Sequence, residues 1–296
     1  MRIFACSNWG LKFLGLLVDY WRAQGHEVEY RMGYDPELHE WSELCFVDAC
    51  DHNAHMASRN SFSNSRLAIR VIDIEAWVGQ PGGVKWENVD VCIFGARHIR
   101  EVVESYVKFP KRTRVVHVPF GVDVDAWTFK QRTHGHKVAH IAHQWTAKGL
   151  QLLFQVMAKL PGYELHTLGT RSRTDLWQFA YYEHIANELG LRWYHTDEVE
   201  NVDRWLEDKN YLILTSMKEA FSYAVAEAAA KGIKPLVHNF YGAPDIWPRE
   251  WLWNSIDECL EKMRGEYDSE SYRAYVKEHY SLERMMEGIN KACQVK

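Results

Sequence analysis

The chain has 296 residues, 47% hydrophobic and 25% charged, which supports one large or two modest cores and excludes a wholly disordered chain. With 35 Lys and Arg against 40 Asp and Glu the formal charge is −5, so tight, sequence-independent binding of long nucleic acid is disfavoured for the chain as a whole. Six cysteines, at 6, 45, 50, 92, 259 and 293, follow neither a disulfide framework nor a metal-finger spacing.

In chain order, residues 2–7 form a short apolar run that ends in the loop signal Ser7-Asn8-Trp9-Gly10. A helix is expected over 11–24, stopped by Gly25. Residues 27–31 and 42–49 predict two more strands, followed by a helix over 53–62. Residues 67–74 and 89–94 predict a fourth and a fifth strand, then a helix around 99–107. This is the rhythm of βαβ units on a parallel sheet. Pro110 and the turn Pro119-Phe120-Gly121 frame a boundary, after which the rhythm restarts. Strands are expected over 137–142, 163–168, 191–194, 211–214 and 234–238, with helices over 149–159, 175–189 and 223–231. The last helix is Ala-rich and closed by Gly232. An amphipathic tail covers 269–291.

The predicted fold class is therefore α/β: two Rossmann-like parallel-sheet domains facing a cleft. Residues 1–116 would form the first and 117–268 the second, with 269–296 a helical segment crossing back to the first. The opening MRIFACSNWG carries no signal-peptide pattern, and no window approaches about 18 uninterrupted apolar residues. The expected location is cytoplasmic, at most peripheral at the inner membrane face, with no integral membrane segment.

The chemical signal is concentrated in residues 210–246, NYLILTSMKEAFSYAVAEAAAKGIKPLVHNFYGAPDI. A strand ends at Thr215-Ser216, Glu219 stands in the following loop, and Glu227 follows inside a helix after seven intervening residues. Helix amides around Phe221, Ser222 and Tyr223 would face the strand ends, where N–H groups and the helix dipole hold phosphate. The two carboxylates would then bind sugar and ribose hydroxyls on either side. The blander alternative makes Glu219 an acid near a cap and Glu227 a solvated helix residue.

This block resembles the nucleotide-sugar motif of the glycosyltransferase family-four group, which has the GT-B fold. The motif runs Pro-Ser, Glu, seven residues, Glu, Gly, Pro, a strand and Gly-x-x-Glu. Here it reads Thr215-Ser216, Glu219, Glu227, Gly232, Pro235 and Gly242-Ala243-Pro244-Asp245. Ala220-Phe221-Ser222 replaces the usual Gly-Phe-Gly, which would narrow the dihedrals open to the loop. Residues 118–123, VPFGVD, resemble the turn that opens the second domain, and Leu168-Gly169 resembles its strand-end Val-Gly. Lys148-Gly149 resembles the Lys-Gly pair that grips the diphosphate, with Ala142 and His143 standing where Gly and Arg are usual.

The resemblance implies a retaining transferase using a UDP- or GDP-sugar, with no cofactor and no metal. Lys148, with His143, would stabilise the diphosphate; Glu219 would bind the transferred sugar and Glu227 the ribose. Ala220, Phe221, Ser222 and Tyr223 would complete the donor site. Asp123-Val-Asp125 is read as part of the boundary turn rather than as a metal site.

In the first domain, Asn8 and Gly10 would approach the donor, Gly10 allowing close backbone contact. Asp51, in FVDACDHNAH, and Asp73, in IRVIDIEAW, are the candidate catalytic carboxylates, with a helix cap as the alternative for Asp51. Arg70 and Glu75 match a family phrase Arg-Leu-His-x-x-Glu, with Ile72 at the histidine. The acceptor is read as a glycan or a lipid-linked sugar. Alternatives are a hydroxylated base in DNA, as some viral transferases modify, a small metabolite, or a non-catalytic nucleotide-sugar-binding protein. Arg97, Arg100, Lys111, Arg112 and Arg114 are the residues that would steer phosphate locally.

Overall fold

The apolar runs become two parallel sheets in a computed structural model that describes residues 1–171 and 176–295. The expected helix start at Asp175 lies outside the described residues. The chain divides into two units, Val122–Ser281 and a second made of Met1–Gly121 with the chain from Leu282.

The first unit contains β1 (Arg2–Cys6), α1 (Leu11–Ala23), β2 (Glu27–Arg31), α2 (Pro36–Trp41), β3 (Leu44–Asp48) and α3 (His52–Ala57). It continues with β4 (Arg66–Val71), α4 (Ile74–Trp77), β5 (Val91–Phe94), α5 (Arg97–Glu104) and β6 (Arg114–His117). The sheet order is β2-β1-β3-β4-β5-β6, with every pair parallel. Sequence and position agree: β3 (LCFVD), inside the sheet, is buried throughout, whereas β2 (EVEYR) lies at an edge and carries charge.

Helix α2 and strand β6 are among the elements that escaped the sequence reading. Helix α2 is only six residues long and owes its start to Pro36 and to Asp35, whose carboxylate accepts from the amides of Glu37 and Leu38. Strand β6 (RVVH) is a half-exposed edge strand with no apolar run to announce it.

The second unit contains β7 (Lys137–Ile141), α6 (Leu150–Ala158), β8 (Glu164–Leu168), α7 (Leu176–Glu188), β9 (Arg192–Thr196) and α8 (Val202–Trp205). After these come β10 (Tyr211–Leu214), α9 (Tyr223–Ala230), β11 (Lys234–His238), β12 (Leu252–Trp253), α10 (Ile256–Arg264) and α11 (Ser269–Tyr280). Its sheet order is β12-β11-β10-β7-β8-β9. The expected single tail is broken at Ser281, whose ψ of 147° is extended. Before the break, Tyr272, Val276 and Tyr280 are buried in this unit. After it, α12 (Leu282–Cys293) returns to the first unit, where Met285, Met286 and Ile289 pack with Ile3, Leu17 and Ile93.

Candidate functional site

In an open parallel sheet, ligands settle beyond the carboxyl ends of the strands where the strand order reverses. In the second unit that point lies between β7 and β10, neighbours in the sheet and far apart in sequence. The loop after β7 carries His143 to Gly149, and the loop after β10 carries Thr215 to Ser222. The two loops are fastened together. Thr215 Oγ1 donates to the Lys148 carbonyl at 2.9 Å, and the Met217 amide donates to the Ala147 carbonyl at 2.8 Å.

Lys148 and Glu219 meet there, with Lys148 Nζ 2.6 Å from Glu219 Oε1. Glu219 is buried, so its carboxylate has lost most of its water and depends on the ammonium partner. His143, exposed on the same loop, shares a 2.6 Å hydrogen bond with Thr170 Oγ1 and stacks on Trp145 at 5.4 Å. Thr170 and Trp145 were not singled out by sequence; Trp145 shares the loop of His143, whereas Thr170 reaches it because β8 lies beside β7.

Helix α9 begins at the far side of the second loop, with Ser222 at its N-cap making no side-chain cap bond. Ser222 has φ −111° and Ala220 is not among the positive-φ residues, so neither needs the glycine that the sequence comparison expected there. The ring of Phe221 packs on Trp247 at 5.3 Å and on Tyr280 at 5.1 Å, which leaves its backbone as the part it offers a ligand. Tyr223 and Glu227 are half-buried on α9, a helix whose remaining residues are buried. Beneath the site, His140 Nδ1 lies 2.9 Å from the Ile213 carbonyl. Burial pushes this imidazole down to about 4, so it is neutral at physiological pH.

The first unit has its own reversal of strand order, between β1 and β3. Asn8, after β1, donates from Nδ2 to Asp51 Oδ2 at 2.7 Å. The other oxygen of Asp51 accepts from the Asn53 amide at 2.9 Å and caps α3. Gly10, with φ 64°, precedes α1 in a conformation that costs a side chain energy. Asp73 lies at the end of β4 and accepts from Trp77 Nε1 at 3.1 Å. Glu75, not proposed as a site residue, is a buried brace: its carboxylate accepts from the amides of Cys50, Ile72 and Asp73. It steadies a loop in which Ala49 has φ 86°, a strained value for a residue with a β-carbon.

The Asp-x-Asp sequence is spent on structure. Asp123 accepts from the Ala126 amide, and Asp125 pairs with Arg273 at 2.9 Å. Among the described residues, no group of three or more His, Cys, Asp or Glu is placed to hold a metal ion. No helix among them is long and apolar enough to cross a membrane.

Two such Rossmann-like units define the GT-B fold. Over its whole length the chain superposes on a solved Anabaena protein, Alr3699/HepE in complex with UDP, with TM-score 0.79, 13% identity and 100% of both chains covered. Sucrose-phosphate synthase from Thermosynechococcus elongatus gives TM-score 0.79 and 13% identity over 98% of both chains. Residues 127–248 match the family model described as Glycosyl transferases group 1. That finding corrects the family resemblance drawn from the motifs: the match is to this group and not to the family-four group. By sequence the chain is 25% identical over 188 residues to a tRNA-queuosine alpha-mannosyltransferase of Drosophila melanogaster. The aligned stretch covers 57% of this chain and 47% of that one, so the chain spans about half the length of the curated relative it matches.

Proposed function

We propose that the chain is a glycosyltransferase that moves a sugar from a nucleoside-diphosphate sugar to an acceptor hydroxyl with retention of anomeric configuration. The Lys148–Glu219 pair at the β7/β10 reversal carries this reading. Lys148, with His143, would compensate the charge that builds on the diphosphate as the bond from the anomeric carbon to phosphate oxygen breaks. The acceptor hydroxyl would attack from the same face and pass its proton to the departing diphosphate, so the site's task is chiefly positioning. Glu219 would hold the transferred sugar and Glu227 the ribose, with the backbone from Ala220 to Tyr223 against phosphate. UDP bound in the Anabaena protein supports a UDP-sugar, with a GDP-sugar as the alternative. Asn8, Gly10, Asp51 and Asp73 remain the proposed contribution of the first unit.

The first reading of the acceptor is a glycan or lipid-linked sugar. A second reading, a hydroxyl carried by RNA, is favoured by the sequence match to the queuosine enzyme. Incubation with radiolabelled UDP- and GDP-sugars against a lipid-linked saccharide, total tRNA and hydroxymethylated DNA separates the classes by which polymer takes up label. NMR of the product's anomeric proton reads retention. Absence of both donor consumption and transfer with all three would reject the enzyme reading and favour a binding protein on the same scaffold.

A further inference from the structure

At the amino-terminal edge of the first unit's sheet, away from the strand ends described above, three arginines converge. Arg66 opens β4, Arg114 opens β6, and Arg112 lies in the turn before β6. They share a cavity of about 250 Å³ floored by Ala68, Val91 and Ala292. A second cavity of about 200 Å³ also uses Arg66 and Arg112 and is lined mainly by short polar side chains, including Ser63 and Asn88. The half-buried ring of Phe62 belongs to it.

The charge in this trough is only partly cancelled from within, by the pairing of Arg112 with Asp90. Asp90, which lines both cavities, is already committed: one oxygen accepts from the Leu67 amide at 2.9 Å, the other from Arg112 at 3.2 Å. Arg66 bonds the neutral side chain of Gln294 at 3.0 Å. Neither Arg66 nor Arg114 has a carboxylate within ion-pair distance among the described residues. Glu43, an acid on which Arg66 acts, is held by the Arg2 amide at 2.8 Å. Arg66, Arg114 and the buried Cys293 line the same cavity.

We infer that this trough binds the backbone of a single-stranded stretch of RNA. Guanidinium groups match phosphate oxygens, hydroxyl and amide side chains match ribose, and a fixed aromatic ring offers a face to a base. Two adjoining cavities that share arginines suit a polymer better than a lone anion. Along β4 the edge lies roughly 17 Å from the carboxyl end of the strand, counted at about 3.3 Å per residue. That distance makes the trough an anchor and not part of the reacting centre. The choice of RNA rests on the RNA-acceptor reading of the function, whereas the phosphate chemistry does not.

The test is fluorescence anisotropy of a fluorescein-labelled single-stranded RNA 20-mer titrated with the full chain at several salt concentrations, with no donor present. Binding should weaken as salt rises. R66Q/R114Q should lower affinity about tenfold and reduce the log–log salt slope by about 1.4, the release expected for two phosphate contacts on a single strand. R66K/R114K, which keeps both charges, should bind within about twofold of the parent. A charge-matched control elsewhere, K159Q/R249Q, should leave both affinity and slope unchanged. Photo-crosslinking of 4-thiouridine RNA to the parent chain should label the peptide that contains Phe62, a readout independent of any variant. An unchanged slope in R66Q/R114Q, equal loss in the control, or full competition by inorganic phosphate at matched ionic strength would overturn the proposal. Because no transfer is measured, failure of tRNA to accept sugar would sink the RNA-acceptor reading and leave this binding result to stand or fall separately.

Discussion

Gly149 approaches the backbone of Thr215 so closely that a β-carbon on it would lie 2.2 Å from the Thr215 carbonyl oxygen. Its φ of 66° is also one that side chains rarely adopt. The approach is what lets the loop after β7 lie against the loop after β10 and delivers Lys148 to Glu219. Gly149→Ala should therefore cost about 2 kcal/mol or more from left-handed strain alone, before the clash is counted. A thermal melt reads the stability loss, and donor titration should show weakened binding at temperatures where the variant is folded. An unchanged melting temperature would mean that the loops are not in register as described.

Removing Lys148 leaves the buried Glu219 carboxylate without the ammonium 2.6 Å away. Lys148→Ala should reduce donor hydrolysis and transfer by about 10²–10³-fold, the usual effect of deleting one group that stabilises transition-state charge. Lys148→Ala with Glu219→Gln should regain stability and no activity, because neutralising the buried carboxylate lowers its burial cost without restoring the charge. Recovery of activity in the double variant would show that Lys148 merely balances Glu219.

Glu227 offers a cleaner test, since alanine is the best helix former and α9 is already Ala-rich. The fold should survive Glu227→Ala. A lost pair of hydrogen bonds to ribose, at about 1.5–3 kcal/mol for a charged group, predicts a donor KM raised roughly 10- to 100-fold. Deoxyribose donors should show little further loss in the variant. Unchanged donor KM and turnover would remove Glu227 from the site.

Stability should also depend on pH between about 4 and 6.5. Burial lowers both His39 and His140 to about 4, below the ordinary histidine value. In that window the unfolded chain binds protons at these residues and the folded chain does not, so stability rises with pH and levels off above about 6.5. Melting temperature measured across pH 4–7.5 should climb and then flatten. Imidazole NMR signals of His39 and His140 that titrate near 6.5 in the folded chain would contradict this.

The sequence by itself determined the fold class. Strands 211–214 and 234–238 and the start of the helix at Tyr223 coincide with β10, β11 and α9, because apolar runs and an Ala-rich segment closed by glycine report burial and local propensity directly. Motif order also brought Lys148 and Glu219 forward as candidates, and it misassigned the family, because short motifs are shared among related groups. What only the tertiary structure decided is which of these residues meet. Lys148 and Glu219 are 71 residues apart and Asn8 and Asp51 are 43 apart; each pair is joined because strand order sets β7 beside β10 and β1 beside β3. Strand order is a long-range choice with no local signature, so the Thr170 support of His143, the brace at Glu75 and the joining of Arg66 with Arg114 were out of reach of periodicity. The same holds for α12: the tail's amphipathic pattern is continuous in sequence, and it is the extended Ser281 that returns its last turns to the first sheet.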